Sequence, residues 1–148
     1  MYILIVEDDK LQFNFIKDAL TRIETSSIVR IRRIVTELEF RKTFEEIADD
    51  KPDVIIMDIM LRWTDPSPEM DLPPADIANE GFFRAGVRCE KMLAEDARTK
   101  EIPIMIYSVL EKTDLEGELP QRPQISYLDK DFDATEIKKR LKDLVGFA

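Results

Sequence analysis

The chain alternates between short apolar runs and longer segments in which apolar residues recur every three or four positions. Short runs rich in β-branched residues are typical of buried strands, and the longer spacing is typical of helices that bury one face. The predicted strands are residues 3–6, 28–35, 53–58, 102–108 and 124–128. The predicted helices are residues 10–24, 36–50 and 82–97, with a closing helix that starts at 133–136. Five strands alternating with helices predict an α/β domain with a doubly wound parallel sheet.

The second predicted strand differs from the others because arginines interrupt its apolar residues. Charged side chains protect the exposed edge of a sheet from pairing with other chains. We therefore expect residues 28–35 at a sheet edge, with Arg30, Arg32 and Arg33 facing solvent. An anion-binding patch is the alternative interpretation of these arginines.

The composition limits the chemistry that the chain can perform. Its 148 residues include no histidine and one cysteine, Cys89, which is expected to be a packing residue. Histidine-dependent nucleophiles and an internal disulfide are excluded, and a metal site must rely on oxygen ligands. The formal net charge of −9 disfavours binding to nucleic acids or anionic lipids. Since no apolar run is long enough to span a membrane and no signal peptide is evident, we expect a cytoplasmic protein.

Acidic residues stand directly after two of the predicted strands. The polar residues expected at the carboxyl edge of the sheet are Glu7, Asp8, Asp9, Asp58, Ser108 and Lys130. In open α/β sheets the functional crevice lies at this edge. Packed carboxylates repel one another and a bound cation relieves the repulsion, so the cluster predicts a Mg²⁺ site with few protein oxygens. Helix caps and solvated loop acids are the alternative interpretation of each residue taken singly.

Four segments at these strand ends resemble the receiver domain of bacterial two-component response regulators. They are IVEDD at 5–9, PDVIIMDIML at 52–61, IPIMIYS at 102–108 and YLDK at 127–130. The resemblance covers nearly the whole of residues 1–148 and is to a stand-alone receiver of the chemotaxis-regulator kind. It implies a flavodoxin-like receiver fold with strand order 2-1-3-4-5, expected here as a single domain without an attached output domain.

The resemblance also implies a function and a role for individual residues. Asp58 would accept a phosphoryl group from a histidine kinase or phosphotransfer protein in a Mg²⁺-dependent reaction. The metal would be held by Asp58, Glu7, Asp8 and the main-chain carbonyl of Met60, with Asp8 binding directly and Glu7 through water. The remaining family roles fall on Ser108 as the switch hydroxyl, Lys130 as the phosphate-binding lysine and Tyr127 as the aromatic that follows phosphorylation.

Several positions beside the site depart from the family pattern. Asp131 follows Lys130 where the family has a proline, which leaves the lysine less constrained. Val109 follows the switch hydroxyl where a small residue is usual, and its side chain can cover the phosphoryl group. Met60 and Leu110 flank the path of an attacking water and hydrogen-bond poorly, so we expect slow loss of the phosphoryl group.

Two longer segments also depart from the pattern of the receiver family. Residues from about 62–80 form an inserted loop, because Gly81 is the first candidate for a glycine that the family has about eight residues after the acceptor. We expect residues 62–76 to be exposed and dispensable for folding, with Trp63 as a packing residue. Residues 111–124 contain one glycine and two prolines, so the fourth helix of the family, part of a common dimerisation and output face, should be poor.

Two other functional classes fit parts of the sequence. A pseudo-receiver would keep the fold as a protein-interaction module without phosphorylation; the missing proline and the insertion favour it, and the intact acids and lysine oppose it. Among enzymes, the acids at residues 7–9 would repel a flavin phosphate, and Met60 stands where a haloacid-dehalogenase-type phosphatase needs a second aspartate. We therefore expect a signalling domain rather than an enzyme. It would act through contacts with an unidentified downstream protein, and homodimerisation is left open.

Overall fold

Five parallel strands form one sheet in the order β2-β1-β3-β4-β5, which confirms the predicted fold class and strand order. The strands are β1 (Tyr2–Val6), β2 (Arg30–Ile34), β3 (Val54–Met57), β4 (Ile104–Ser108) and β5 (Ile125–Asp129). The α-helices are α1 (Lys10–Thr21), α2 (Glu37–Lys42), α3 (Phe44–Asp49), α4 (Ala75–Glu80), α5 (Ala85–Glu95) and α6 (Ala134–Val145), and 3-10 helices span Phe82–Arg84 and Lys112–Leu115. This computed structural model describes residues 1–21, 29–115, 117–118, 122–131 and 133–146.

The central strands are buried on both faces of the sheet. Because successive side chains of a strand point to opposite faces, the apolar residues divide into two core clusters. Ile3 and Ile5 pack with residues of α1 and α6, whereas Leu4 and Val6 pack with residues of α2, α3 and α5. Cys89 is fully buried in the second cluster, which confirms its packing role, and burial raises the pKa of its thiol.

β2 lies at an edge of the sheet, as its arginines predicted. It is shorter than the predicted strand 28–35, and residue 28 falls outside the described residues. Arg30 and Arg32 form ion pairs with acids of the α3 region, at 2.7 and 3.0 Å. Arg33 turns instead toward the carboxyl end of β1.

The predicted single helix at 36–50 is wrong, because the segment forms two helices, α2 and α3, separated at Thr43. The Thr43 hydroxyl donates to the Glu39 carbonyl at 2.8 Å, and its backbone angles, φ −101° and ψ 5°, leave the helical region. Such side-chain bonds compete with the helical ladder. Phe40 and Phe44 still meet edge to face at 6.2 Å between ring centroids, so the predicted apolar face survives the break.

The other helices follow the sequence pattern closely. α1 begins at the predicted residue and covers residues 10–21 of the predicted helix 10–24. Residues 22–24 lie outside the described residues. The Asp133 carboxylate caps α6 by accepting the N–H groups of Thr135 and Glu136 at 3.0 and 3.1 Å. Between β4 and β5 the described residues hold only a 3-10 helix, as expected for segment 111–124. None of the helices in the described ranges has the length and apolar character needed to cross a bilayer.

Candidate functional site

Glu7, Asp8 and Asp58 meet at the carboxyl edge of the sheet. β1 and β3 are neighbours with Val6 in register with Met57, so the residues that follow these two strands lie side by side. One carboxylate oxygen of each acid lies within 4.8 Å of the other two. Three converging carboxylates form a donor set that suits a hard divalent cation.

Lys130 enters this cluster from the end of β5. Its backbone N–H donates to the Ser108 carbonyl at 3.1 Å, which continues the pairing of β4 with β5. Its Nζ lies 2.9 Å from Asp58 Oδ2 and 2.8 Å from Glu7 Oε2, and its side chain is only 9% exposed. The ring of Tyr107 lies beside the ammonium, with its centroid 5.8 Å from Nζ. The structure thus brings together the lysine and the acids that the sequence singled out.

The cluster carries more negative charge than Lys130 neutralises. Burial, together with the charge of Asp58, raises the pKa of Glu7 to about 7. Burial lowers the pKa of Lys130, but the attraction of Asp58 and Glu7 outweighs this effect and the pKa is raised. A divalent cation would offset the repulsion from Asp58 that adds to the effect of burial on the pKa of Glu7, so the electrostatics of the site fit a bound metal.

Asp9 has a different partner from its two acidic neighbours. Its Oδ1 accepts the N–H groups of Gln12 and Leu11, at 3.0 and 2.7 Å, and so caps the start of α1. These bonds, with that from Gln12 contributing most, hold the pKa of Asp9 below its usual range. The helix-cap interpretation therefore applies to Asp9 and not to the converging acids.

The backbone after β3 contacts two acids of the cluster. The Met60 N–H donates to Asp58 Oδ1 at 3.2 Å, and the Arg62 N–H donates to Asp8 Oδ2 at 3.3 Å. Met60 is the residue whose carbonyl was expected to bind the metal, and its N–H orients the Asp58 carboxylate. The first residue of the insertion is therefore in direct contact with the site.

Gly86, near the start of α5, lies against the main chain of Asp58. A Cβ atom at Gly86 would come within 2.3 Å of the Asp58 carbonyl oxygen, so only glycine allows this close approach. The Gly86 N–H also donates to the Ile59 carbonyl at 2.9 Å. These contacts pack the start of α5 directly onto the acceptor segment.

The residues that end β4 and those that follow β4 and β5 differ in exposure. Ser108 is buried, and its Oγ accepts the N–H of Leu110 at 3.2 Å. Leu110 is half-buried and packs against the core, Val109 is 66% exposed, and Asp131 is exposed.

Tyr127 lies outside the acidic cluster. It is half-buried on β5, in register with Ile106, and packs against the core on the same side as Ile125. The ammonium of Lys112 lies 5.2 Å from the centroid of its ring. The contact connects the expected switch aromatic with the 3-10 helix that follows β4.

Sequence reasoning missed two contributors to the site, Arg33 and the backbone N–H of Arg62. Arg33 donates to the carbonyl oxygens of Glu7 and Asp8, although its position favoured a solvated edge. Its position near the end of β2, the strand next to β1, could have indicated that it reaches the residues after β1. A backbone N–H carries no sequence signal at all.

The fold is similar to that of solved signal-receiver structures. A signal receiver domain of two-component signal transduction from Clostridium thermocellum matches with a TM-score of 0.73 at 12% identity, covering 99% of this chain and 98% of that one. A chemotaxis response regulator of Vibrio cholerae gives 0.66 at 16% identity, covering 97% of each chain. The receiver domain of a Francisella response regulator gives 0.63 at 20% identity, covering 98% and 96%. No protein-family model and no curated protein matches the sequence. The chain therefore has the fold of response-regulator receiver domains.

Proposed function

We propose that this chain is a response-regulator receiver that accepts a phosphoryl group on Asp58 in a Mg²⁺-dependent reaction. The donor is a phosphohistidine of a histidine kinase or phosphotransfer protein. The observation that carries the proposal is the contact of Asp58 with Lys130, 72 residues away, inside the cluster formed with Glu7 and Asp8. The receiver fold supports the same conclusion. The phosphorylated domain signals in the cytoplasm through contacts with a downstream protein.

Asp58 is the nucleophile of the transfer. One of its carboxylate oxygens attacks phosphorus, the P–N bond to the donor imidazole breaks, and an acyl phosphate forms. The imidazole nitrogen keeps the electron pair of the broken bond and takes up a proton from solvent. Lys130 neutralises charge on the phosphoryl oxygens, because its Nζ already lies against the attacking carboxylate. The Ser108 hydroxyl is available to donate to a phosphoryl oxygen after transfer.

The residues that would hold the metal are Asp8 and Asp58 through their carboxylates, Met60 through its carbonyl and Glu7 through water. Glu7 is already engaged by Lys130 at 2.8 Å and by the Asp9 N–H at 3.0 Å, which supports its outer position. When bound, Mg²⁺ offsets negative charge on the cluster and on the transferring oxygens.

Phosphorylation by a small donor tests the proposal. Incubation with acetyl phosphate or phosphoramidate and Mg²⁺ should add one hydroxylamine-labile phosphoryl group, detected as an increase in intact mass. Asp58→Asn should abolish the increase. Asp53→Asn is the matched control, because Asp53 lies at the other end of β3, where it accepts the Tyr2 N–H at 2.7 Å. A phosphorylated Asp58→Asn protein, or a wild type that binds Mg²⁺ and gains no phosphoryl group, contradicts the proposal.

The pseudo-receiver remains the second candidate, and one contact favours it. The Arg62 N–H occupies Asp8 Oδ2 at 3.3 Å, so the insertion competes for an oxygen that the metal needs. A protein-interaction module of this kind would gain no phosphoryl group at the cluster. The phosphorylation assay with a small donor and Mg²⁺ therefore separates the two candidates.

A further inference from the structure

We propose that Arg33 is a positioning residue for the metal-binding acids. Its guanidinium fixes the backbone of Glu7 and Asp8, and so fixes the direction in which their carboxylates point. The inference rests on the proposed function, because it concerns the same site. It assigns a role to a residue of the edge strand, outside the four segments that resemble the receiver family.

Arg33 connects three elements of the fold. It lies beside Ile5 in the register of β2 with β1, one residue before the end of β2. Its Nε donates to the Glu7 carbonyl and one terminal nitrogen donates to the Asp8 carbonyl, both at 3.1 Å. The guanidinium carbon lies 4.8 Å from the ring centroid of Phe13 in α1. The side chain therefore ties β2 and α1 to the turn that carries the two acids.

Two sets of contacts restrain the turn after β1, one through its N–H groups and the other through its carbonyl groups. The Glu7 carboxylate accepts the Asp9 N–H at 3.0 Å, and the Glu7 N–H donates to the Ile34 carbonyl at 3.0 Å. Arg33 holds the carbonyl groups of Glu7 and Asp8. Without these two hydrogen bonds the peptide planes of Glu7 and Asp8 can rotate, and the Asp8 carboxylate then moves relative to Asp58. Residues that orient a metal ligand from outside the coordination shell act in this way.

The chemistry of the contact requires arginine. A guanidinium is a planar fork that can donate to two successive carbonyl groups while its face stacks on an aromatic ring. A lysine ammonium in the same place keeps the charge but lacks the fork. Arg32, the preceding residue of β2, pairs with Glu46 at 3.0 Å instead, so it supplies a matched control on the same strand.

Calorimetric titration of Mg²⁺ into the wild type, Arg33→Lys and Arg32→Lys tests the inference. We expect Arg33→Lys to bind Mg²⁺ at least about tenfold more weakly, as for other residues that orient metal ligands, and Arg32→Lys to bind as the wild type does. Both variants keep the positive charge, so the difference reports geometry.

A second measurement needs neither metal nor phosphoryl donor. The carbonyl ¹³C chemical shifts of Glu7 and Asp8 in the Mg²⁺-free protein should change in Arg33→Lys and not in Arg32→Lys. Phe13→Leu removes the ring beneath the guanidinium and should weaken Mg²⁺ binding in the same direction, which decides the matter if Arg33→Lys does not fold. Equal Mg²⁺ affinities of Arg33→Lys and wild type, or equal losses in both lysine variants, overturn the inference. A wild type that binds no Mg²⁺ overturns the proposed function, and the inference with it.

Discussion

At the scale of single residues, three consecutive acids perform three different tasks. Glu7 is nearly fully buried and contacts Lys130, Asp8 accepts the first N–H of the insertion, and Asp9 caps α1. Their carboxylates are chemically alike, so the differences come from burial, neighbouring charges and hydrogen bonds. The sequence could predict the cluster, but it could not divide these tasks among its members.

The raised pKa of Glu7 predicts how the stability of the Mg²⁺-free protein depends on pH. Glu7 titrates at about 7 in the folded protein against an ordinary value of 4.5. The folded state therefore holds this proton more tightly than the unfolded state does. The resulting stabilisation is fully present below the unfolded pKa and is lost as pH rises through the folded pKa. At about 1.4 kcal/mol per pKa unit, the loss is on the order of 3 kcal/mol, and Glu7→Gln should remove it.

Thermal unfolding in a chelator, between pH values of about 5.5 and 8, measures about 2 kcal/mol of this loss, because part of it occurs below pH 5.5. Glu45→Gln is the control, because the Glu45 carboxylate is exposed and its pKa is lowered by Arg98, which affects stability only at more acidic pH. Excess Mg²⁺ should flatten the wild-type profile by favouring ionised Glu7. Parallel pH profiles for the wild type and Glu7→Gln in chelator would show that Glu7 titrates normally.

At the scale of elements, the insertion at 62–80 is fastened to the domain at both ends. The carbonyls of Arg62 and Trp63 accept the first two N–H groups of α2, at 3.0 and 2.9 Å. The first turn of a helix needs such acceptors, because its N–H groups have no partner within the helix. At the other end, Ile77 of α4 is buried. Most of residues 62–76 are exposed, as expected. Because the first two of them cap α2, we predict that only the middle of the segment is dispensable for folding.

Shortening the middle of the insertion should leave the fold intact. Replacing residues 64–72 with a short Gly-Ser connector is expected to change the unfolding temperature by only a few degrees, since loop length adds little closure entropy. Trp63 and Pro73, which flank the replaced residues, line the same cavity of about 330 Å³. Trp63 does lose the bond from its indole N–H to the Asp71 carbonyl, at 3.1 Å.

A second deletion supplies the comparison for the first. Replacing residues 62–72 also changes the segment that caps α2, so it should lower the unfolding temperature further than the shorter replacement. Unfolding of the protein by the 64–72 replacement alone would show that the middle of the insertion belongs to the core.

At the scale of the whole molecule, the sheet order joins residues that the sequence separates widely. The fold was predictable because β1, β3 and β4 are buried on both faces and appear as continuous apolar runs. The acids and Lys130 of the site were predictable because they directly follow strands whose order in the sheet was predicted. Sequence reasoning could not predict the break at Thr43 or the contacts of Arg33 and Arg62. These features depend on strand register and on backbone groups, which leave no pattern of side chains in the sequence.

We expect the loops that follow β3, β4 and β5 to determine how long a phosphoryl group on Asp58 persists. Acyl-phosphate hydrolysis needs a water placed in line with the bond that breaks. The resemblance to receiver domains predicts that Met60 and Leu110 flank that path, and both are half-buried side chains that offer no strong hydrogen bond to a water. Each tenfold slowing corresponds to about 1.4 kcal/mol of barrier, so the loss of positioning groups has a large effect on lifetime. Val109 points into solvent at 66% exposure, so the prediction rests on Met60 and Leu110.

We therefore expect the phosphoryl group to persist for minutes or longer in Mg²⁺, measured as its loss from the isolated phosphoprotein. Leu110→Gln places a hydrogen-bonding amide beside the path and should shorten the lifetime, whereas Leu110→Met, which keeps the position apolar, should not. Asp131 is the residue that could reverse this outcome, because it is exposed next to Lys130 and lacks the restraint of a proline. If its carboxylate orients the water, the phosphoryl group will be lost within seconds and Asp131→Pro will slow the loss. That result would assign the lifetime to the loop after β5 instead of the two apolar side chains.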